Sequence, residues 1–422
     1  MRLKSTIAAI AMMLMIALSS YPQQNKAQNN DKIVAKAKAS HARAITLDTH
    51  VDISGANYAT PELDPGKETR LKCDLVKMKQ GGLDGVFLAV FVGQQNDFTD
   101  AGYKRALDQA IVKFDAVHRL TEKLHPELCQ LAVSPDQVPQ IVKTGKRAIM
   151  IGVENGYPIG KDLSLLKKFY DLGARYMTLS HSGHNQICDS SSDRNPPPNN
   201  GLSDFGKQVV PEMNRLGMMI DVSHIAEKSF WDVIQLTKAP IIASHSGCKA
   251  LNNVDRNLTD DQLRALAKNG GVIQTVALAG FLKSDTSERQ QALAELRKQF
   301  PGGRGGRGQG QAMTDEQRAA YQEKMKEIDA KYPPAVVTVE DFVNHIDHAV
   351  KIAGIDHVGI GTDFDGGGGI KGFNDDSEAL NVTIELVRRG YSEKNIRKIW
   401  GENLLRVWRE VQKVAARSKP AA

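Results

Sequence analysis

Cysteine is scarce in this chain of 422 residues, and its cysteines form no CxxC pair. Such sparse spacing excludes a disulfide scaffold, although it leaves room for one or two bridges. Basic blocks interleaved with aromatic residues are also missing, and a net charge of +6 is mild over this length. Nucleic acid is therefore not expected as a partner. The cysteines are Cys73, Cys129, Cys188 and Cys248.

Long hydrophobic runs are missing as well, apart from one near the N-terminus. The apolar run Ile7–Leu18 follows the basic residues Arg2 and Lys4 and precedes small and polar residues. A membrane span needs about 20 apolar residues, so residues 1–20 are predicted to be a secretory signal peptide. An uncleaved N-terminal anchor is the alternative. We expect an exported protein, periplasmic or secreted, with no stable membrane span once the signal is removed.

Short apolar, β-rich runs alternate with helical patterns through most of the chain. The runs are continuous rather than alternating, which is typical of parallel strands covered on both faces. Eight such units predict an α/β fold, a (β/α)8 TIM-type barrel, over residues 41–415. A doubly wound sheet would need a glycine-rich turn after the first run, and that turn is missing. The runs cover residues 44–48, 85–92, 148–153, 176–180, 218–223, 240–244, 271–277 and 358–362.

A charged segment, residues 283–335, interrupts the alternation after the seventh predicted strand. It contains the glycine- and arginine-rich run Gly302–Gln311, flanked by polar helical patterns over 287–300 and 314–331. Such a run cannot bury a core, so a flexible insertion is predicted. RNA binding is the alternative for a run of this composition. A polar segment, 21–40, and a tail, 416–422, complete the predicted organisation.

Polar side chains occur at the carboxyl ends of the predicted strands. In a barrel these ends converge on one face, where active sites are built. A single histidine after a strand is usually structural, but equivalent positions on successive strands are much harder to explain that way. The residues are His50, Asp52, Glu154, His181, His224, His245, Asp363 and Asp365.

Imidazole nitrogens combined with carboxylate oxygens suit zinc and related divalent ions. His50 and Asp52 lie two residues apart on an extended segment and point to the same side. Glu154 lies between two groups of donors and could bridge two ions about 3.5–4 Å apart. Such a pair would hold a bridging hydroxide, which predicts hydrolysis. No GxSxG serine elbow competes with this interpretation.

The motifs together resemble the membrane (renal-type) dipeptidase family of zinc metallopeptidases. The resemblance covers about residues 40–412, apart from the insertion, and the order and spacing of the motifs agree. The motifs are DTHVD at 48–52, GVENG at 152–156, LSHS at 179–182, DVSH at 221–224, SHS at 244–246, RN at 256–257 and GTDFDG at 361–366.

The resemblance implies a metal-ligand set of two zinc ions per chain. His50 and Asp52 would bind one ion, and His224 and His245 would bind the other. Glu154 would bridge both. Other divalent ions, such as manganese or cobalt, accept similar ligands.

The resemblance also implies how substrate is handled. His181 would contact the substrate and the developing oxyanion, and Arg256 would pair with the substrate's C-terminal carboxylate. Asp363 would take the proton of the bridging water and pass it to the leaving amine. These roles suit a bidentate guanidinium and a carboxyl group close to the reacting water.

The sequence therefore predicts an exported binuclear zinc dipeptidase, including activity on dipeptides with a C-terminal D-residue. One alternative is another binuclear amidohydrolase that acts on cyclic amides, esters or lactones. A second is an inactive binding protein on the same barrel, which would be expected to have lost a ligand; none is lost. The oligomeric state stays open, a homodimer included.

Overall fold

The computed structural model describes residues 30–94, 96–300 and 314–418. The strands of this part form one parallel sheet, in the order β1-β2-β4-β5-β6-β7-β8-β9, with β3 paired to β4 at its side. They are β1 (Leu47–Asp52), β2 (Gly85–Phe91), β3 (Cys129–Leu131), β4 (Arg147–Glu154), β5 (Ala174–Thr178), β6 (Met219–Asp221), β7 (Ile242–Ser246), β8 (Val272–Thr275) and β9 (Val358–Ile360).

The sheet curls until its first strand meets the segment after its last one. Val51 of β1 bridges to Phe364, and the Asp52 amide donates to the Phe364 carbonyl at 2.9 Å. The buried carboxylate of Asp48 accepts hydrogen bonds from the amide and hydroxyl groups of Thr362. These contacts confirm the predicted (β/α)8 barrel and its eight principal strands; the short strand β3 was not predicted.

Helices surround the sheet, and several begin at a side-chain cap, such as the capping boxes of Thr259 and Thr338. No described helix combines the length and the apolar character that a bilayer crossing needs. The helices are α1 (30–41), α2 (Leu75–Gly81), α3 (Asp100–His118), α4 (Gln137–Lys143), α5 (Ser164–Asp171), α6 (Gly206–Leu216), α7 (Glu227–Leu236), α8 (Asp260–Lys268), α9 (Ala279–Leu282), α10 (Ser287–Gln299), α11 (Asp315–Lys331), α12 (Val339–Ala353), α13 (Ala379–Arg388), α14 (Glu393–Arg397) and α15 (Asn403–Arg417).

One end of the barrel is closed by apolar side chains. Phe87 of β2 and Met150 of β4 belong to a buried cluster to which Trp408 and Val411 of α15 also belong. The rings of Phe87 and Trp408 lie 5.8 Å apart. Since Met150 precedes Glu154 along β4, the opposite, carboxyl end of the barrel is left for chemistry.

The first strand lies later in the chain than predicted. Residues 42–44 form a turn, and Thr46 donates its hydroxyl to the Gly82 carbonyl. The polar stretch after Leu47 continues the strand because β2 pairs with it. His50 and Asp52 therefore lie within β1 rather than after it.

The insertion contains the two predicted polar helices, α10 and α11, between β8 and β9. They are joined by the buried side chain of Arg289 on α10. Its guanidinium lies 2.8 Å from the Asp329 carboxylate of α11, and it donates to the Tyr332 carbonyl at 2.6 Å. The glycine- and arginine-rich run at 302–311 lies outside the described residues, as does the predicted signal peptide at 1–20.

The cysteines do not form bridges. All four lie in the described residues, and each is a buried, free thiol. The one or two bridges that the sequence left room for are therefore not formed.

Candidate metal centre

The structure gathers the predicted site residues at the carboxyl end of the barrel. His50 and Asp52 come from β1, Glu154 ends β4, and His245 belongs to β7. The other side chains come from the loops that follow β5, β6, β7 and β9; they are His181, His224, Arg256 and Asp363.

The carboxylate of Glu154 lies at the centre of this group. Its Oε1 atom lies 2.9 Å from Nε2 of His224, 3.5 Å from Nε2 of His245 and 3.7 Å from Nε2 of His181. Its Oε2 atom lies 3.6 Å from Nε2 of His50. The two oxygens therefore face different imidazoles, which is the arrangement of a bridging carboxylate.

Three overlapping sets of side chains each place their donor atoms within 4.8 Å of one another. Besides these sets, Nε2 of His224 and Nε2 of His245 lie 2.9 Å apart. Imidazole lone pairs repel at that distance unless a proton or a cation lies between them. The sets are His50, Asp52 and Glu154; Glu154, His181 and His224; and His50, His245 and Asp363.

An unsatisfied buried atom agrees with a metal site. Nε2 of His50, which faces the Glu154 carboxylate, has no hydrogen-bond partner within the described parts of the chain. A buried polar atom without a partner is rare and costly. Nitrogen and carboxylate donors aimed at one small volume fit divalent ions.

Electrostatics distinguishes the histidines. Burial lowers the pKa of His224 and of His245 well below the usual value, which keeps both imidazoles in the neutral form that binds metal. Burial alone would also lower the pKa of His50, but the Glu154 carboxylate outweighs it and raises the pKa to about 9. The Glu154 carboxylate is thus the group that most favours a positive charge on His50.

The carboxyl groups differ in the same way. Burial alone would raise the pKa of Glu154, but His50 and His181 outweigh it and hold the pKa well below the usual range. Burial, together with the nearby Asp52 carboxylate, raises the pKa of Asp363 well above that range. Asp363 is thus the carboxyl group best suited to carry a proton.

Arg256 is a buried cation beside the histidines. It donates from Nη2 to the His245 carbonyl at 3.3 Å, while its Nε has no partner among the described residues. Burial lowers the pKa of Arg256 to about 10, so it stays charged at neutral pH. A guanidinium with an unused donor is suited to an anionic group of a substrate.

Backbone strain concentrates around the site. His224 and Asp363 have φ values of 71° and 60°, in the left-handed region that side chains other than glycine rarely adopt. Asp365 also follows β9 but binds elsewhere, because its carboxylate accepts from the Lys72 and Cys73 amides at 2.9 and 3.1 Å. Asp365, which the sequence placed among the polar residues at the strand ends without a role in the site, therefore holds a loop.

Supporting residues were not predicted. Asp221 accepts from the Ser223 and Ser244 amides at 3.0 and 2.8 Å and from the Ser244 hydroxyl at 2.6 Å. Tyr176 on β5 contacts His50. A polar residue inside an otherwise apolar strand was the available signal, since it needs a buried partner.

Comparison with known proteins places the chain in a family. The family model of the membrane dipeptidases (peptidase family M19) matches residues 34–421. The chain is 32% identical over 359 residues to dipeptidase tcpJ of Claviceps purpurea, covering 84% of this chain and 73% of that protein.

Solved structures resemble the chain as well. The crystal structure of the probable dipeptidase PvdM from Pseudomonas aeruginosa superposes with a TM-score of 0.81 at 33% identity, over 91% of this chain and all (100%) of that one. A metallo peptidase from Rhodobacter sphaeroides, liganded with a phosphinate mimic of the dipeptide L-Ala-D-Ala, shares the fold with a TM-score of 0.68 at 23% identity, over 87% of this chain and 99% of that one. With the metal-ligand cluster at the barrel's carboxyl end, these matches show that the chain belongs to the membrane dipeptidase family, M19, and is a metallo-dipeptidase, a hydrolase that acts on peptide bonds.

Proposed function

We propose that the protein is an exported, binuclear zinc dipeptidase. The observation that carries the proposal is Glu154, whose two carboxylate oxygens face separate histidines. His50 and Asp52 would hold one ion with Glu154, and His224 and His245 would hold the other. When bound, the ions would activate a water molecule and polarise the peptide carbonyl.

The chain's own residues would orient the dipeptide and move its proton. Arg256 would bind the free C-terminal carboxylate through its unused Nε donor. His181, whose ring packs 4.6 Å from that of Phe91, would hold the carbonyl oxygen as negative charge develops. Asp363, with its raised pKa, would deliver a proton to the nitrogen of the leaving amine.

The proposed substrates are dipeptides with free ends, including those with a C-terminal D-residue. The L-Ala-D-Ala mimic bound to the Rhodobacter sphaeroides relative names the first compound to test. Among the alternative substrates, cyclic amides, esters and lactones that lack a free carboxylate would leave Arg256 uncompensated. Activity on a lactone equal to that on L-Ala-D-Ala would favour this alternative.

The experiment joins metal analysis to a substrate panel. Purified protein, loaded with zinc and desalted, should contain two ions per chain and should hydrolyse L-Ala-L-Ala and L-Ala-D-Ala but not blocked dipeptides. Protein loaded with manganese or cobalt should be compared under the same conditions. One ion per chain at full activity would contradict the binuclear proposal.

Export is part of the proposal and rests on the apolar run Ile7–Leu18. Expression of the full chain followed by cell fractionation should place the mature protein outside the cytoplasm. N-terminal sequencing should show loss of about the first 20 residues. A cytoplasmic protein that retains Arg2 would contradict it. Domain boundaries and a homodimer stay predictions.

A further inference from the structure

We propose that Tyr176 is a positioning residue of the metal centre. Its hydroxyl holds the proton of His50 on Nδ1, so that Nε2 is kept as the metal-binding atom. The inference deepens the proposed function and rests on it, because it assigns Tyr176 a role toward the ion that His50 would bind.

The two contacts of the Tyr176 hydroxyl can both be hydrogen bonds in only one arrangement. The Tyr176 hydroxyl donates its single proton to the Thr49 carbonyl at 3.1 Å. It also lies 2.8 Å from Nδ1 of His50. Since a carbonyl cannot donate, the hydroxyl must accept from His50, and His50 must carry a proton on Nδ1. The lone pair of the neutral ring is then on Nε2, which faces Glu154.

The barrel contains a slot that lets Tyr176 reach His50. Tyr176 is fully buried and pairs in register with Gly152 of β4. A Cβ atom on Gly152 would lie 2.0 Å from the Tyr176 Cζ and 2.4 Å from its hydroxyl oxygen. Any residue larger than glycine at position 152 would therefore clash with the phenol ring of Tyr176. The close approach of Tyr176 is thus the reason for a glycine there.

Without the hydroxyl, His50 has a competing arrangement. Its Nδ1 would lose its side-chain partner in a buried place, where an unpaired N–H is costly. The proton would move to Nε2, where the Glu154 carboxylate can accept it. That tautomer blocks the very atom that faces the donor set, so metal and proton would compete.

His245 has an equivalent hydrogen-bond arrangement, made by different residues. Its Nδ1 lies 2.8 Å from the Ser244 hydroxyl, which donates to the Asp221 carboxylate at 2.6 Å. The serine must therefore accept from Nδ1, and Nε2 again faces the centre. Second-sphere partners of this kind typically change metal affinity by about 10–100-fold. The two predicted ions would thus depend on two different hydroxyls.

The test compares Tyr176→Phe with the matched control Tyr103→Phe. Tyr103 is buried on α3, and its hydroxyl has no partner within the described ranges. Zinc affinity of each site is measured by competition with a chelator, without substrate. Tyr176→Phe should weaken one ion by about 10–100-fold and leave the other within about threefold. Tyr103→Phe should change neither affinity, and Tyr176→Phe without metal should still unfold in one cooperative transition.

The outcomes separate this inference from the function it rests on. Unchanged affinity in Tyr176→Phe would overturn the role of Tyr176, whatever the wild-type ion count. Fewer than two ions in the wild type would overturn the binuclear proposal, while the comparison of variants still tests Tyr176 on the bound ion. A second measurement needs no variant: ¹⁵N NMR of the zinc-loaded protein should show His50 protonated on Nδ1. A proton on Nε2 would contradict the inference.

Discussion

A buried guanidinium beside neutral histidines is costly unless an anion joins it, and Arg256 is such a group. The native enzyme should therefore prefer free dipeptides to their C-terminal amides. Arg256→Ala should lose about 2–5 kcal/mol of transition-state stabilisation, or roughly 30- to several-thousand-fold in kcat/KM. The ratio of kcat/KM between free and amidated dipeptides should be smaller in Arg256→Ala than in the native enzyme, while the variant keeps both proposed ions.

A control for this prediction is Arg194→Ala. Arg194 also carries a positive charge, but its side chain is 87% exposed. Its ion pair with Asp255, at 3.4 Å, lies on the surface and contributes little. Its removal should leave kcat/KM within about twofold. If amidated and free dipeptides react equally with the native enzyme, Arg256 is not the carboxylate anchor.

Glu154 is proposed to bind both ions, so its charge should matter at two sites at once. Glu154→Gln keeps the shape of the side chain but removes a charge that faces His50 and His224. Metal analysis should find well under two ions per chain and almost no activity. His224→Ala, the comparison, should lose mainly one ion. A Glu154→Gln protein that is fully loaded and active would exclude the bridge.

At the scale of elements, α12 is secured by a neutral histidine. His345 accepts from the Cys248 amide at Nδ1 and donates from Nε2 to the Leu282 carbonyl, both at 3.0 Å. Burial lowers the pKa of His345 in the fold. As pH falls below about 6.5, the unfolded chain therefore binds a proton first. The contribution of His345 to stability is complete above that pH and is lost as pH falls toward the folded pKa.

The measurement is urea unfolding of wild type and His345→Gln at pH 7.5, 6.5 and 5.5, both in chelator. The variant should be less stable by about 1–3 kcal/mol at pH 7.5, because buried backbone groups lose a partner. The difference should shrink by up to about 1.4 kcal/mol per pH unit as the wild type loses its advantage. A difference that is constant over this range would contradict the assignment.

The insertion is the other element with a clear expectation. Its helices α10 and α11 are joined through Arg289, which lies outside the glycine- and arginine-rich run. Replacing residues 301–313 by a Gly-Ser linker of equal length should leave the melting temperature within a few degrees. Arg289→Ala should lower the melting temperature more, since the buried guanidinium that contacts both Asp329 and the Tyr332 carbonyl is removed. A larger fall in melting temperature for the linker variant than for Arg289→Ala would show that the run itself contributes to the core.

At the scale of the whole molecule, metal should stabilise the barrel. The donors come from β1, β4 and β7 and from the loops after β6 and β9, so each ion would connect distant parts of the chain. An ion at about 1,000 times its dissociation constant adds about 4 kcal/mol. Removal of metal by a chelator should lower the melting temperature by on the order of 10 °C. Calorimetry should show the lower melting temperature, and added zinc should restore it. A melting temperature that does not change on metal removal would contradict the proposal that metal stabilises the barrel.

Much of the fold and of the donor set could be read from the sequence. Parallel strands buried on both faces leave continuous apolar runs, and the polar residues that follow them must meet at one end of a closed barrel. That reasoning placed Glu154, His181, His224 and His245 in one site. It placed the start of β1 too early, because the polar residues after Leu47 do not look like a strand, and it missed the short strand β3.

The tertiary structure decided what depends on contacts between residues distant in sequence. Which oxygen of Glu154 faces which imidazole follows from the register of β4 against its neighbours, and local pattern does not contain it. Asp365 follows a strand as Asp363 does, yet its carboxylate accepts hydrogen bonds from the Lys72 and Cys73 amides. In the sequence, Tyr176 looks like an ordinary strand residue. Its pairing with Gly152 follows only from the fold. Residue types and their order determined the fold and the candidate metal-binding residues, whereas packing across the barrel determined the orientation of these residues, because a side chain's partner is fixed only when the barrel closes.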